Sequence, residues 1–207
     1  MGCSNSNDVE TVKNTGNAST NQNQNLKYDI DFPIPDEKTF KADPNFFTDI
    51  ENIESKQYSN GQYYGELKDG QKHGKGRYIW KEGEFTGDMY EGEWKDNKKT
   101  GKGVYVFFSG NCYNGDWFEG DMHGKGIMKY SNGYYEGDWV HDKREGKGKF
   151  LYTEDAEKGD IFEGEWKDDK KNGKGVYKYQ NGNIYEGEWK DDEVIGELKL
   201  VKKGETS

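Results

Sequence analysis

The stretch Tyr90–Gly103, YEGEWKDNKKTGKG, constrains this chain more than any other feature, because it keeps coming back. It returns as Tyr113–Gly126, Tyr135–Gly148 and Phe162–Gly175, with a degraded earlier copy at Tyr64–Gly76 and a final one starting at Tyr185. The lead aromatics follow one another at 22 to 27 residues, the spacing of a repeat array in which each unit buries its apolar face against the next. Within YEGEW, Tyr90, Gly92 and Trp94 alternate with Glu91 and Glu93, which predicts a β-strand with one aromatic and one acidic face. Lys95–Gly101 reads as a turn, and Gly103–Phe107 as a returning strand rich in β-branched and aromatic residues. One repeat is therefore a β-hairpin. Trp94 to Gly101 is seven residues, and the count holds in the other copies. The other connection varies, so insertions around 83–89 and 154–161 are expected along one rim. The expected fold is all-β: an elongated, twisted ribbon of consecutive antiparallel hairpins, roughly 60 Å long at about 4.8 Å per strand.

The pattern YEGEWxxxxxxGKG, with a following aromatic and Asn-Gly, resembles the MORN repeat (membrane occupation and recognition nexus). The resemblance covers residues 58–200, and Tyr58-Ser59-Asn60-Gly61 looks like the tail of a still earlier copy. The end copies are atypical, with Leu67 in place of Trp and Gly196-Glu197-Leu198 in place of Gly-Lys-Gly, as a capped array requires. The family resemblance implies a scaffold at membrane–cytoskeleton junctions, in the cell cortex, division structures or cilia.

Composition fits a thin ribbon better than a compact core: hydrophobic residues make up only 30%, yet aromatics reach 15%. A net charge of −10 argues against non-specific nucleic-acid binding, which needs a basic footprint. Cys3 and Cys112 are too few for a disulfide framework. Three segments are expected: a disordered tether over 1–25, a segment over 26–57, and the repeat array over 58–207. In the middle segment, Leu26–Ile34 alternates, and Asp43-Pro44 opens a short helix carrying Phe46, Phe47, Ile50 and Ile53 on one face. It either caps the first edge of the ribbon or docks a partner.

Met1-Gly2-Cys3-Ser4-Asn5-Ser6 matches the N-myristoylation pattern, with Gly2 as acceptor, and Cys3 beside it is placed for palmitoylation. One acyl chain holds only marginally, at about 10⁴ M⁻¹, whereas two give stable attachment. The polar stretch Asn14–Asn25 would then tether the ribbon at the cytosolic face of a membrane, plasma, cortical or ciliary.

No catalytic constellation emerges, and no metal or cofactor is expected. The Gly-Lys-Gly motifs lack the spacing of a phosphate loop. His73 and His123 lie about two repeats apart, some 20 Å, with His141 in another turn, too far for one metal. The paired acids (Glu91/Glu93, Glu163/Glu165, Glu186/Glu188) recur in every copy and read as a solvated face bridged to lysines. The candidate protein-binding stripe is Tyr90, Trp94, Tyr113, Trp117, Tyr135, Trp139, Trp166, Tyr185 and Trp189, rings suited to gripping a peptide or helix. Basic pairs at the turns, Lys98/Lys99, Lys143/Arg144 and Lys170/Lys171, are the candidate contacts for anionic headgroups. Three functions stay open: a membrane-anchored scaffold for protein partners, direct phospholipid binding by the repeats, and a soluble axonemal component. The last edge, Leu198–Val201, is a candidate for pairing with a second copy.

Overall fold

The computed structural model describes residues 32–41, 43, 45, 46, 48 and 53–204. Gly2, Cys3 and the tether lie outside them, as does most of the helix expected after Asp43. At that helix's start, Asp43 Oδ1 accepts the Asn45 N–H at 2.8 Å, as an N-cap would.

The described chain forms one open sheet of 13 strands, each antiparallel to the strands before and after it. These are β1 Glu54–Tyr58, β2 Gly61–Lys68, β3 Gln71–Trp80, β4 Met89–Lys95, β5 Lys98–Val106, β6 Cys112–Phe118, β7 Asp121–Tyr130, β8 Gly133–Val140, β9 Lys143–Tyr152, β10 Ile161–Lys167, β11 Lys170–Lys178, β12 Ile184–Lys190 and β13 Glu193–Lys202. The ribbon thus starts at Glu54, four residues before the expected boundary. Among the described residues, no helix is long and apolar enough to cross a membrane.

The constant seven-residue spacing has a physical cause. Each repeat turns on two residues with positive φ, such as Asp96 (48°) and Asn97 (69°) or His141 (47°) and Asp142 (67°), the geometry that matches strand twist. The turn is therefore shorter than the Lys95–Gly101 read from sequence, and Lys98–Gly101 already belong to the return strand. The pairing then shifts at a bulge opposite Gly92/Glu93, where Gly101 takes a φ of 56°. The Glu93 carboxylate accepts the Lys102 N–H there at 3.0 Å. Glu66, Asp116 and Asp138 do the same for Lys75, Lys125 and Lys147. Seven residues are what keeps this bulge in phase with the turn.

The core is a layer of rings lying on glycine. Gly65, Gly76, Gly92, Gly103, Gly115, Gly126, Gly137, Gly148, Gly164, Gly175 and Gly187 are paired one to the next, a bare row crossing the sheet from β2 to β12. A Cβ at Gly103 or Gly126 would stand under 3.0 Å from the ring of Tyr90 or Tyr113. Each tyrosine lies flat on this row, and its hydroxyl reaches a carbonyl three residues on, as Tyr113 does to Asp116 at 2.9 Å. Tryptophans lock neighbours together: Tyr90 meets Trp94 of its own repeat and Trp117 of the next edge-on, both at 5.1 Å. Trp117 Nε1 also donates to the Gly103 carbonyl at 3.1 Å. The zigzag continues to Phe162 and Trp189.

The turn rim is stitched as well. The Asn97 N–H donates to the Lys72 carbonyl, and Asn97 Oδ1 accepts the Lys72 N–H. Asp142, Asp169 and Asp192 repeat both bonds with Met122, Arg144 and Lys171. Gly120 donates its N–H to Lys99 but has no side chain to complete the loop.

Residues 32–41 and 43 run as a strap across the sheet face opposite the rings, away from the first edge; the rest of the segment expected to cap that edge lies largely outside the described residues. Phe32 packs with Leu151, Ile161 and Ile184, and Phe40 against Tyr134. Asn114 donates to the Thr39 carbonyl at 2.7 Å, and the Asp43 N–H to Glu91 at 2.7 Å. A one-turn 3-10 helix, Glu37–Phe40, shapes it.

Two substitutions test this account of stability. Gly126→Ala drives a methyl into the Tyr113 ring and is expected to destabilise by about 2–3 kcal/mol. Asn97→Gly keeps the positive φ but removes the side-chain half of the stitch to Lys72, and is expected to destabilise by about 0.5–1.5 kcal/mol. Urea unfolding followed by tryptophan fluorescence reads both as lowered midpoints, the first the larger.

Candidate functional site

The ring-bearing face carries two aromatic rows. The first is the row read from sequence. Tyr90, Tyr113 and Tyr135 are 0% exposed, and Trp94, Trp117, Trp139, Trp166 and Trp189 are buried too. The expectation of a gripping stripe at these positions is corrected here, because the rings cover one another and the glycine row. Tyr185 is the exception, half-buried and meeting Tyr179 at 5.5 Å. Burial lifts the phenol pKa of Tyr90, Tyr113 and Tyr135 well above the ordinary range.

The second row comes from the return strands: Tyr58, Trp80, Phe107, Tyr130, Tyr152 and Tyr177, half-buried and packed on the core, followed by Tyr179, which is exposed. These are the rings a partner can reach, and sequence reasoning passed over them. The signal was present, since each of them after Tyr58 follows a Gly-Lys-Gly motif at the parity of the lead tyrosine.

Cations thread between the two rows. Across the hairpin from three of the tryptophans stand cations, Lys99 for Trp94, Arg144 for Trp139 and Lys171 for Trp166, while Trp117 faces Met122 and Trp189 faces Val194. Lys99 Nζ lies 3.9 Å from the Trp117 ring centroid and 4.7 Å from that of Tyr105. The Arg144 guanidinium lies 4.4 Å from that of Trp166, and Lys72 serves Trp94 at 4.5 Å. Such contacts contribute about 0.5–2 kcal/mol. A cavity of about 320 Å³ opens among Tyr130, Arg144, Phe150, Tyr152, Trp166 and Lys171.

The basic pairs therefore divide instead of forming a free rim. Lys98, Lys143 and Lys170 point outward into ion pairs with Glu119, Asp168 and Asp191. Lys99, Arg144 and Lys171 turn inward over rings. Among the paired acids Glu93, Glu165 and Glu188 are exposed and Glu163 pairs with Lys149, as a solvated face bridged to lysines would have them, whereas Glu91 departs from that reading: it is 4% exposed and binds Arg77 and the strap. His123 and His141, expected far apart, meet with ring centroids 5.4 Å apart, because successive turns stack. Among the described residues, no group of three or more His, Cys, Asp or Glu is arranged to hold a metal.

On the opposite face the glycine row floors a trough of about 880 Å³. Its walls carry Lys102, Lys125, Lys147 and Lys174 with Glu136, Glu163 and Glu186, and the strap's Pro33 and Thr39 border it.

An open single-layer sheet of ring-on-glycine hairpins, repeated in register, defines a non-globular repeat protein of the hairpin-array class. The chain belongs to the MORN repeat family: the family model matches residues 63–88, 90–112, 113–133, 135–154, 162–184 and 185–193, more than half its length. No curated protein matches the sequence.

The caged lysines make a pH prediction. Burial pushes Lys99 down to about 8, with Asp142, Asp121 and Asp88 pulling the other way, and pushes Lys72 down to about 8. The folded chain releases these protons below the ordinary lysine pKa of about 10.4, so stability rises as pH climbs from about 8. Above about pH 10 the unfolded chain ionises its tyrosines first and the gain reverses. Urea midpoints are expected to climb between pH 8 and 10 in the native chain. In a Lys72→Met, Lys99→Met variant, which copies Met122, that climb is expected to flatten.

Proposed function

We propose that this protein is a non-catalytic scaffold that holds protein partners along its second aromatic row and is fastened by its N-terminus to the cytosolic face of a membrane. The observation that carries the reading is a single sheet face along which the reachable rings, from Tyr58 to Tyr179, lie beside Lys72, Lys99, Arg144 and Lys171. Such rings give large contact area at low entropic cost. Every repeat presents similar groups, whereas catalysis needs one special environment. Acylation at Gly2 and Cys3 would supply the anchor, and placement at a cortical, division or ciliary structure follows the family. Direct phospholipid binding draws less support, since the turn cations are engaged by Glu119, Asp168, Asp191 and the rings.

Two measurements test this reading. Gly2→Ala is expected to move the protein from the membrane pellet to the soluble fraction, and continued pelleting removes the anchor. A photo-cross-linking residue at Tyr152 is expected to capture partner proteins in cells, while one at Lys149 on the opposite face is not. Equal capture from both faces, or none from Tyr152, overturns the binding surface.

A further inference from the structure

The last hairpin breaks the internal cation pattern. At the position facing the hairpin's tryptophan, earlier repeats carry Lys72 (opposite Leu67), Lys99, Met122, Arg144 and Lys171. Lys72, Lys99 and Arg144 each place their charge 3.9 to 4.5 Å from the ring centroid of the next repeat's tryptophan. Met122 fills its place with a buried thioether. Lys171 is in register to serve Trp189, but it leans back to the Tyr152 hydroxyl at 3.4 Å and over Tyr152, Phe162 and Tyr177. The residue facing Trp189 is Val194, too short to cover the gap and 42% exposed.

What remains is a cavity of about 510 Å³. Tyr177, Tyr179 and Trp189 line it as apolar walls, and Glu157, Asp160 and Asp192 stand around it against the one cation of Lys171. Two of these acids have fixed positions. Asp192 accepts the Lys171 N–H at 2.8 Å, and Asp160, 6% exposed, accepts the Gln180 N–H at 2.8 Å. Tyr177 and Tyr179 are packed at 4.8 Å. Elsewhere in the sheet this combination of ring faces and acids holds a side-chain cation of the chain itself. Lys99, over Trp117 and Tyr105 and near Asp88, Asp121 and Asp142, is the internal precedent.

We propose that this pocket takes a lysine side chain from a partner protein, its ammonium beside Trp189, Tyr177 and Tyr179 and its charge balanced by Glu157, Asp160 and Asp192. The inference rests on the ring-bearing face being the binding face, and it names the chemistry of the partner at the C-terminal end of that face. An ammonium on a slim alkyl stem suits a site that already accommodates one from Lys171 at its rim.

The full chain is titrated with a fluorescein-labelled nonapeptide of alternating lysine and serine, read by anisotropy. Val194→Lys supplies the pocket with a cation of its own and is expected to weaken peptide binding by about tenfold. Tyr179→Ala, which removes a wall, is expected to weaken it similarly. Acetylating the peptide lysines is expected to abolish binding, and free butylammonium is expected to compete. Equal affinity for native and Val194→Lys chains overturns the proposal in favour of diffuse attraction to a net-acidic protein, as does an arginine peptide that binds more tightly. No binding to the native chain overturns it outright. In each of these cases capture from Tyr152 is read separately: if it persists, the scaffold reading stands without this pocket.

Discussion

A tyrosine ring lying flat on two paired glycines is the contact on which this structure depends. A single-layer sheet has no second layer to bury its apolar face against, and few folds tolerate that. Here the rings themselves form the second layer. They can do so only because Gly92 and Gly103, and their counterparts in each repeat, leave the backbone bare enough for a ring to touch it. The low aliphatic content is then no handicap, since an aromatic side chain flattened on backbone buries as much area as a larger core residue would. Phe162 shows that the ring, not the hydroxyl, is essential: it sits over Gly164 and Gly175 with no oxygen to bond a carbonyl.

Contacts between repeats repeat the contacts within them. Tyr90 meets its own Trp94 and the next repeat's Trp117 at the same distance and nearly the same angle. The turn rim adds paired backbone and side-chain bonds between neighbours. No hairpin is therefore an independent unit, and stability is shared along the array through nearest neighbours. The strap adds a coupling of another kind, joining β4 to β9–β12 across the far face.

Much of this was legible in the chain. Alternation in YEGEW put Tyr, Gly and Trp on one face, the constant seven-residue spacing identified the fixed hairpin, and variable spacing put the insertions around 83–89 and 154–161, close to the loops at 81–88 and 153–160. What alternation does not reveal is whether a face is open or closed, so buried Tyr113 and Trp117 read like a binding stripe. The division of Lys98 from Lys99 was available in principle: counting through a two-residue turn puts Lys99 opposite Trp94. Only the two-residue turn at Asp96–Asn97, shorter than Lys95–Gly101, brings it out. The strap was beyond local pattern, since Phe32 finds Leu151 and Ile184 only once the sheet exists.

The strap also sets where load enters the molecule. Among the described residues, the chain first meets the sheet at Phe32, beside β9, β10 and β12, and only later reaches β1. A pull on that end is resisted by an aromatic side chain wedged among Leu151, Ile161 and Ile184, and then by the hydrogen bonds at Thr39 and Asp43. Those contacts stand between a pull on that end and the first strand.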